Sequence, residues 1–161
     1  MHKRKMYPDL DGEIMFGNMH YELLQIQEVV KVLKSINTLL KIMNSIKRKI
    51  NIYSRNDHID NQEIEKISFY IDKTINCLTL IVKMFTFYSQ TPAVVYIKII
   101  YRLLIYTRYY ISQINEMNHI LKTNLSSDIT RIMNLKEVII TNFIEKIMEL
   151  YHYSPKNIKM N

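Results

Sequence analysis

Glycine is nearly missing from this 161-residue chain. There are two, Gly12 and Gly17, and none follows. That removes Asn-Gly and Asp-Gly hairpin turns, a glycine-rich phosphate loop and a Gly-x-Ser-x-Gly nucleophile elbow. Cys77 is the single cysteine, so no internal disulfide framework exists. A reducing compartment is therefore expected, with the protein intracellular (cytoplasmic or organellar) and not secreted. Tryptophan is absent and alanine occurs once, at Ala93. The abundant residues, Ile, Lys, Asn and Tyr, share AT-rich codons. That composition points to an AT-rich genome and reduces the weight of the lysine count itself.

Long apolar runs are missing too. The longest uncharged apolar stretch, Met84–Ile97, is broken by Ser89, Gln90 and Pro92 and is too short to span a bilayer. A buried helix pair is expected there in preference to a hairpin lying on a membrane. The opening MHKRKMYPDLDGE is basic but has no apolar core, so it does not read as a secretory signal.

Acid is missing from one segment only. Residues 29–56 hold seven bases (Lys31, Lys34, Lys41, Lys47, Arg48, Lys49 and Arg55) and no Asp or Glu. The rest of the chain is balanced, so this segment carries the whole formal charge of +7. A localised basic face predicts an anionic partner.

What is present is helical periodicity. The many Ile and Tyr residues favour strands by propensity, but apolar positions recur at three- and four-residue steps over long spans. The first helix is expected at about 19–53, on a stripe of Ile26, Val29, Val30, Leu33, Ile36, Leu40, Met43 and Ile50. Lys31, Lys34, Lys41, Arg48 and Lys49 gather on its other side. Asp60 with Glu63 fits a capping box opening a second helix at about 61–88. Its inner residues run from Ile64 to Phe85, with Cys77, Leu80, Ile81 and Met84 widening the stripe. Thr91-Pro92 reads as a cap followed by a first-turn proline. The third helix then runs to about Lys122. Its first half, Val94, Val95, Ile97, Ile99, Ile100 and Leu103–Ile105, is apolar nearly all round and is expected to be the most buried element. Ser126 or Ser127 caps a fourth helix at about 128–152, ended by Ser154-Pro155. These elements predict one domain, residues 19–153, between an N-terminal arm (1–18) and a C-terminal tail (154–161). Its fold is expected to be all-α, an antiparallel up-down-up-down four-helix bundle.

Glu116–His119 and Glu149–His152 have the Glu-x-x-His spacing of di-iron bundles. Both pairs, however, fall at C-terminal helix ends that an antiparallel bundle holds roughly 30 Å apart. No metal and no cofactor is expected, and His near a helix C-terminus complements the dipole. Cys77 reads as a core thiol and not as a nucleophile. No enzymatic activity is expected.

Two features remain as candidate sites. One is the basic face of Lys31, Lys34, Lys41, Arg48 and Lys49, suited to nucleic acid, a ribonucleoprotein or an acidic protein surface. The other is an aromatic and basic cluster on the third helix, Arg102, Arg108, Tyr109 and Tyr110, able to stack on bases or anchor an interface. The expected function is that of a non-enzymatic helical interaction protein, with a homo-oligomer through the first helix as a further outcome. The alternative is a helical regulator, viral sources included, that takes a partner helix in an apolar groove. Peripheral membrane association through the basic stripe and the Met84–Tyr106 region is a weaker third, and a membrane partner is not expected.

Overall fold

In α1 (Ile26–Tyr53) the fully buried residues are Val29, Ile36, Leu39, Met43, Ile46 and Ile50. Their spacing alternates mostly between three and four, the stripe of a helix lying against partners along its whole length. The computed structural model describes Gly12–Glu13, residues 26–53, 61–117, 126–150 and Ser154–Pro155. The expected start of the first helix (19–25), most of the arm and tail, the box residue Asp60, His119 and His152 lie outside the described residues.

The described chain is helical almost throughout, and four helical rods pack against one another. After α1 come α2 (Asn61–Gln90) and α3 (Val94–Glu116). The fourth rod is α4 (Ser126–Leu135), a π-helical stretch (Lys136–Thr141) and α5 (Asn142–Leu150). Leu135 and Asn142, at the two joins, both keep right-handed helical dihedrals, so the rod passes through the π stretch without a break. The widened turn redirects backbone bonds. At its end the Asn142 backbone N–H donates to the Ile139 carbonyl, and its side-chain Nδ2 donates to the Val138 carbonyl at 3.1 Å. Gly12–Glu13 (β1) pairs antiparallel with Ser154–Pro155 (β2) as a two-residue bridge.

Thr91-Pro92 acts differently from its sequence reading. The Thr91 amide still donates to the Phe87 carbonyl at 2.9 Å and so belongs to the end of α2. Pro92 has no N–H to continue that ladder, so it stops α2 and does not start α3. The N-cap of α3 is Ala93, extended at φ −152°, ψ 143°, with no side-chain cap. The third helix also ends before Lys122. Met117 turns at φ −92°, ψ 3°, its amide shared between the Gln113 and Ile114 carbonyls, a common helix terminus.

The core draws on all four rods. Phe85 of α2 meets Phe143 of α5 with ring centroids 5.8 Å apart, and Ile36, Leu78, Leu104 and Ile132 are fully buried. Two threonines share this core because their hydroxyls donate to carbonyls one turn back. Thr74 reaches Tyr70 and Thr107 reaches Leu103, each at 2.7 Å, so neither leaves an orphan polar group. The stripes predicted from sequence were too wide. Val30, Leu80, Val95 and Ile99 are exposed, and α3 presents one apolar face to solvent instead of being buried all round.

Candidate anionic-partner face on α1

At 100° per residue, positions seven apart return to nearly the same side of a helix. Lys34, Lys41 and Arg48 are so spaced, opposite the buried line from Ile36 to Ile50. All three are exposed, about 10 Å apart in succession. Between them lie Asn37, Thr38 and Ser45, which are neutral. The Thr38 hydroxyl is turned back onto the Lys34 carbonyl at 3.1 Å. Among the described residues no acid pairs with Lys34, Lys41 or Arg48. The result is a straight line of positive charge on the outer surface.

Among the described residues, the other bases of the segment do not join it. Lys49 Nζ lies 2.6 Å from Asp128 Oδ2 on α4. Asp128 is only 17% exposed, and a carboxylate so enclosed requires a cation. Lys49, predicted for the partner face, therefore ties α1 to α4. Lys47 pairs with Asp72 of α2 at 2.8 Å. Lys31 is exposed but turns to the flank facing the fourth rod. There it lines an open cavity of about 420 Å³ with Glu28, Val32, Ile139, Phe143 and Lys146. Glu28 and Lys146 pair across its edge at 2.7 Å. Arg55 lies outside the described residues.

The second predicted cluster separates. Tyr110 is 1% exposed, its ring 6.2 Å from that of Tyr70 on α2 and 5.6 Å from that of Tyr109. That burial corrects its reading as a surface contact. Arg102 and Tyr109, seven apart, share the outer face of α3. Arg108, six residues from Arg102, sits about 240° round the helix from it.

No known relative explains this arrangement. No protein-family model, curated protein or solved structure matches the chain.

Cys77 is buried and hydrogen-bonded with Thr107. Burial pushes its thiol above the ordinary value of 9.0, against smaller opposing effects of that bond and of Lys73. Among the described residues no group of His, Cys, Asp and Glu could hold a metal ion. Sequence reasoning missed Lys136, which is 8% exposed in the π stretch. Its Nζ donates to the Ser112 hydroxyl at 3.4 Å and lies 3.4 Å from Glu137. The signal was available: Lys136 stands four residues from both Ile132 and Ile140, inside the apolar stripe.

Proposed function

We propose that this protein is a non-enzymatic helical interaction protein that docks an anionic macromolecule along Lys34, Lys41 and Arg48. The observation that carries this reading is the outer line itself: three bases on one face with no acid paired to them among the described residues. Lys47 and Lys49, from the same segment, each have a carboxylate partner. A solvated face needs no such sorting, whereas a docking face gains from charges left available. Nucleic acid is the favoured partner. Bases spaced along a straight rod suit a phosphate backbone, and lysine-dominated contacts hold phosphates without reading bases.

The scaffold in this reading is an antiparallel up-down-up-down bundle. Two sets of contacts support it. Phe87–Tyr96, Cys77–Thr107 and Tyr70–Tyr110 descend α2 as they rise along α3. Glu28–Lys146 and Lys49–Asp128 relate α1 to the fourth rod in the same opposed sense.

The test is a pull-down with and without nuclease, at low and high salt, with a Lys34→Glu, Lys41→Glu, Arg48→Glu variant beside the wild type. The expected outcome is nuclease- and salt-sensitive capture that the variant loses. Each phosphate contact removed should flatten the salt dependence of binding by about 0.9 log unit per log unit of salt. Capture resistant to nuclease but lost in the variant would make the partner an acidic protein. Unchanged capture by the variant at low salt would sink the basic-face reading.

A further inference from the structure

α1 and the fourth rod leave a gap beside the π stretch. It is the open cavity of about 420 Å³, within the roughly 300–1,000 Å³ of small-molecule sites. On the α1 side Lys31, Val32 and Ser35 line it. Ser35 stands one turn on from the other two, so the three share a flank. The opposite wall is Val138 and Ile139 of the π stretch and Phe143 of α5. π-helical turns recur at functional sites, and this one forms a cavity wall. Ile139 and Phe143, otherwise packed in the core, make that wall apolar. Val138 is 67% exposed, a large aliphatic side chain left in solvent at the mouth. The charges do not balance. Glu28 and Lys146 pair with each other across the edge, whereas Lys31 has no acid partner among the described residues. The cavity therefore keeps one positive charge. The Ser35 hydroxyl donates to the Lys31 carbonyl at 3.4 Å, a long bond for a hydroxyl and readily exchanged for a better acceptor.

We propose that this cavity binds one small amphipathic carboxylate, of the medium-chain fatty-acid class. The carboxylate meets the Lys31 ammonium and the Ser35 hydroxyl, and hydrogen bonds to an ionised acceptor are the strong kind. The aliphatic body lies along Ile139 and Phe143 and covers Val138, which removes apolar surface from water on both partners. One unpaired cation matches one negative charge, so a carboxylate suits the site better than a phosphate dianion. A partner helix, about 10 Å across with its side chains, is too wide for a cavity of this volume. The cavity takes one molecule at a time and is not a face for a bilayer. Among the described residues, moreover, no helix is long and apolar enough to cross a membrane. The site lies on the flank of α1 and not on the line of Lys34, Lys41 and Arg48, so the two proposals stand or fall separately.

The test is isothermal titration of the full chain with decanoate, beside decanol (the same body without the charge) and butyrate (the charge with little body). Saturable binding of one decanoate per chain is expected, with affinity rising from hexanoate to decanoate as methylenes are buried. Decanol should bind about tenfold more weakly or worse, and Lys31→Gln should weaken decanoate by a similar factor. Val138→Asp sets a negative charge at the mouth and should weaken it further. Lys41→Gln, on the outer line, should leave it unchanged. Lys31 and Val138 are both exposed, so both variants should fold. If circular dichroism shows that one does not, the other decides together with the ligand series. No saturable binding of decanoate by the wild type overturns the proposal. So does equal binding of decanol, or of butyrate, since either would remove half of the recognition. Decanoate binding unaffected by Lys31→Gln and Val138→Asp would place the ligand elsewhere and overturn the site.

Discussion

At Cys77 a titratable group sits inside an apolar contact, and the consequence is a pH dependence with a definite sign. The folded thiol ionises above the ordinary 9.0. As pH rises past 9.0 the unfolded chain therefore loses the proton first, and stability falls until the higher folded value is reached. The urea midpoint, measured below and above pH 9.0, should drop more for wild type than for Cys77→Ala. Equal drops would mean the thiol is accessible in the native state. Its core placement was legible from the stripe position alone. The fate of Lys49 was not, because its partner Asp128 lies 79 positions away in the chain. A segment without acids in sequence can be lined with them in space.

Among the elements, the start of α3 carries an unmet opportunity. Ala93 already holds the extended dihedrals of an N-cap, yet it has no side-chain oxygen to accept a first-turn amide. Ala93→Ser or Ala93→Asp should add about 1 kcal/mol. For a chain of this size that is roughly 2–4 °C in Tm by thermal melting; an unchanged or lowered Tm would show that the cap geometry is not available to a longer side chain. The boundary itself was readable to within two residues, but the job of Pro92 was not. Proline marks a break between helices, and only the Thr91–Phe87 hydrogen bond shows which helix Thr91 belongs to. The π stretch was invisible in the pattern. Its buried residues keep spacings of three and four, which an α-helix would satisfy equally well.

For the molecule as a whole, the core is one cluster to which every rod contributes. Phe85→Ala, at the Phe85–Phe143 contact between α2 and α5, should cost about 3–5 kcal/mol. Because both rods depend on that contact, unfolding of the variant should remain a single transition, with far-UV circular dichroism and tyrosine fluorescence coincident. Separate transitions would show that the fourth rod unfolds independently. Against a total stability of about 5–15 kcal/mol, the variant should sit near the folding threshold.

The existence of four helices followed from the sequence by itself, because apolar periodicity and proline act within a few residues. So did the basic side of α1, since spacing at 3.6 residues per turn sorts charge from apolar residues on an isolated helix. Tertiary structure alone decided how much of each stripe is covered. A neighbouring helix shields only part of a wide apolar face, so Leu80, Val95 and Ile99 stay in solvent while Leu78, Ile97 and Ile100 do not. It also decided which bases pair with an acid among the described residues. Ion pairing depends on what packs alongside, and packing set Asp72 and Asp128 against Lys47 and Lys49 while leaving Lys34, Lys41 and Arg48 facing outward.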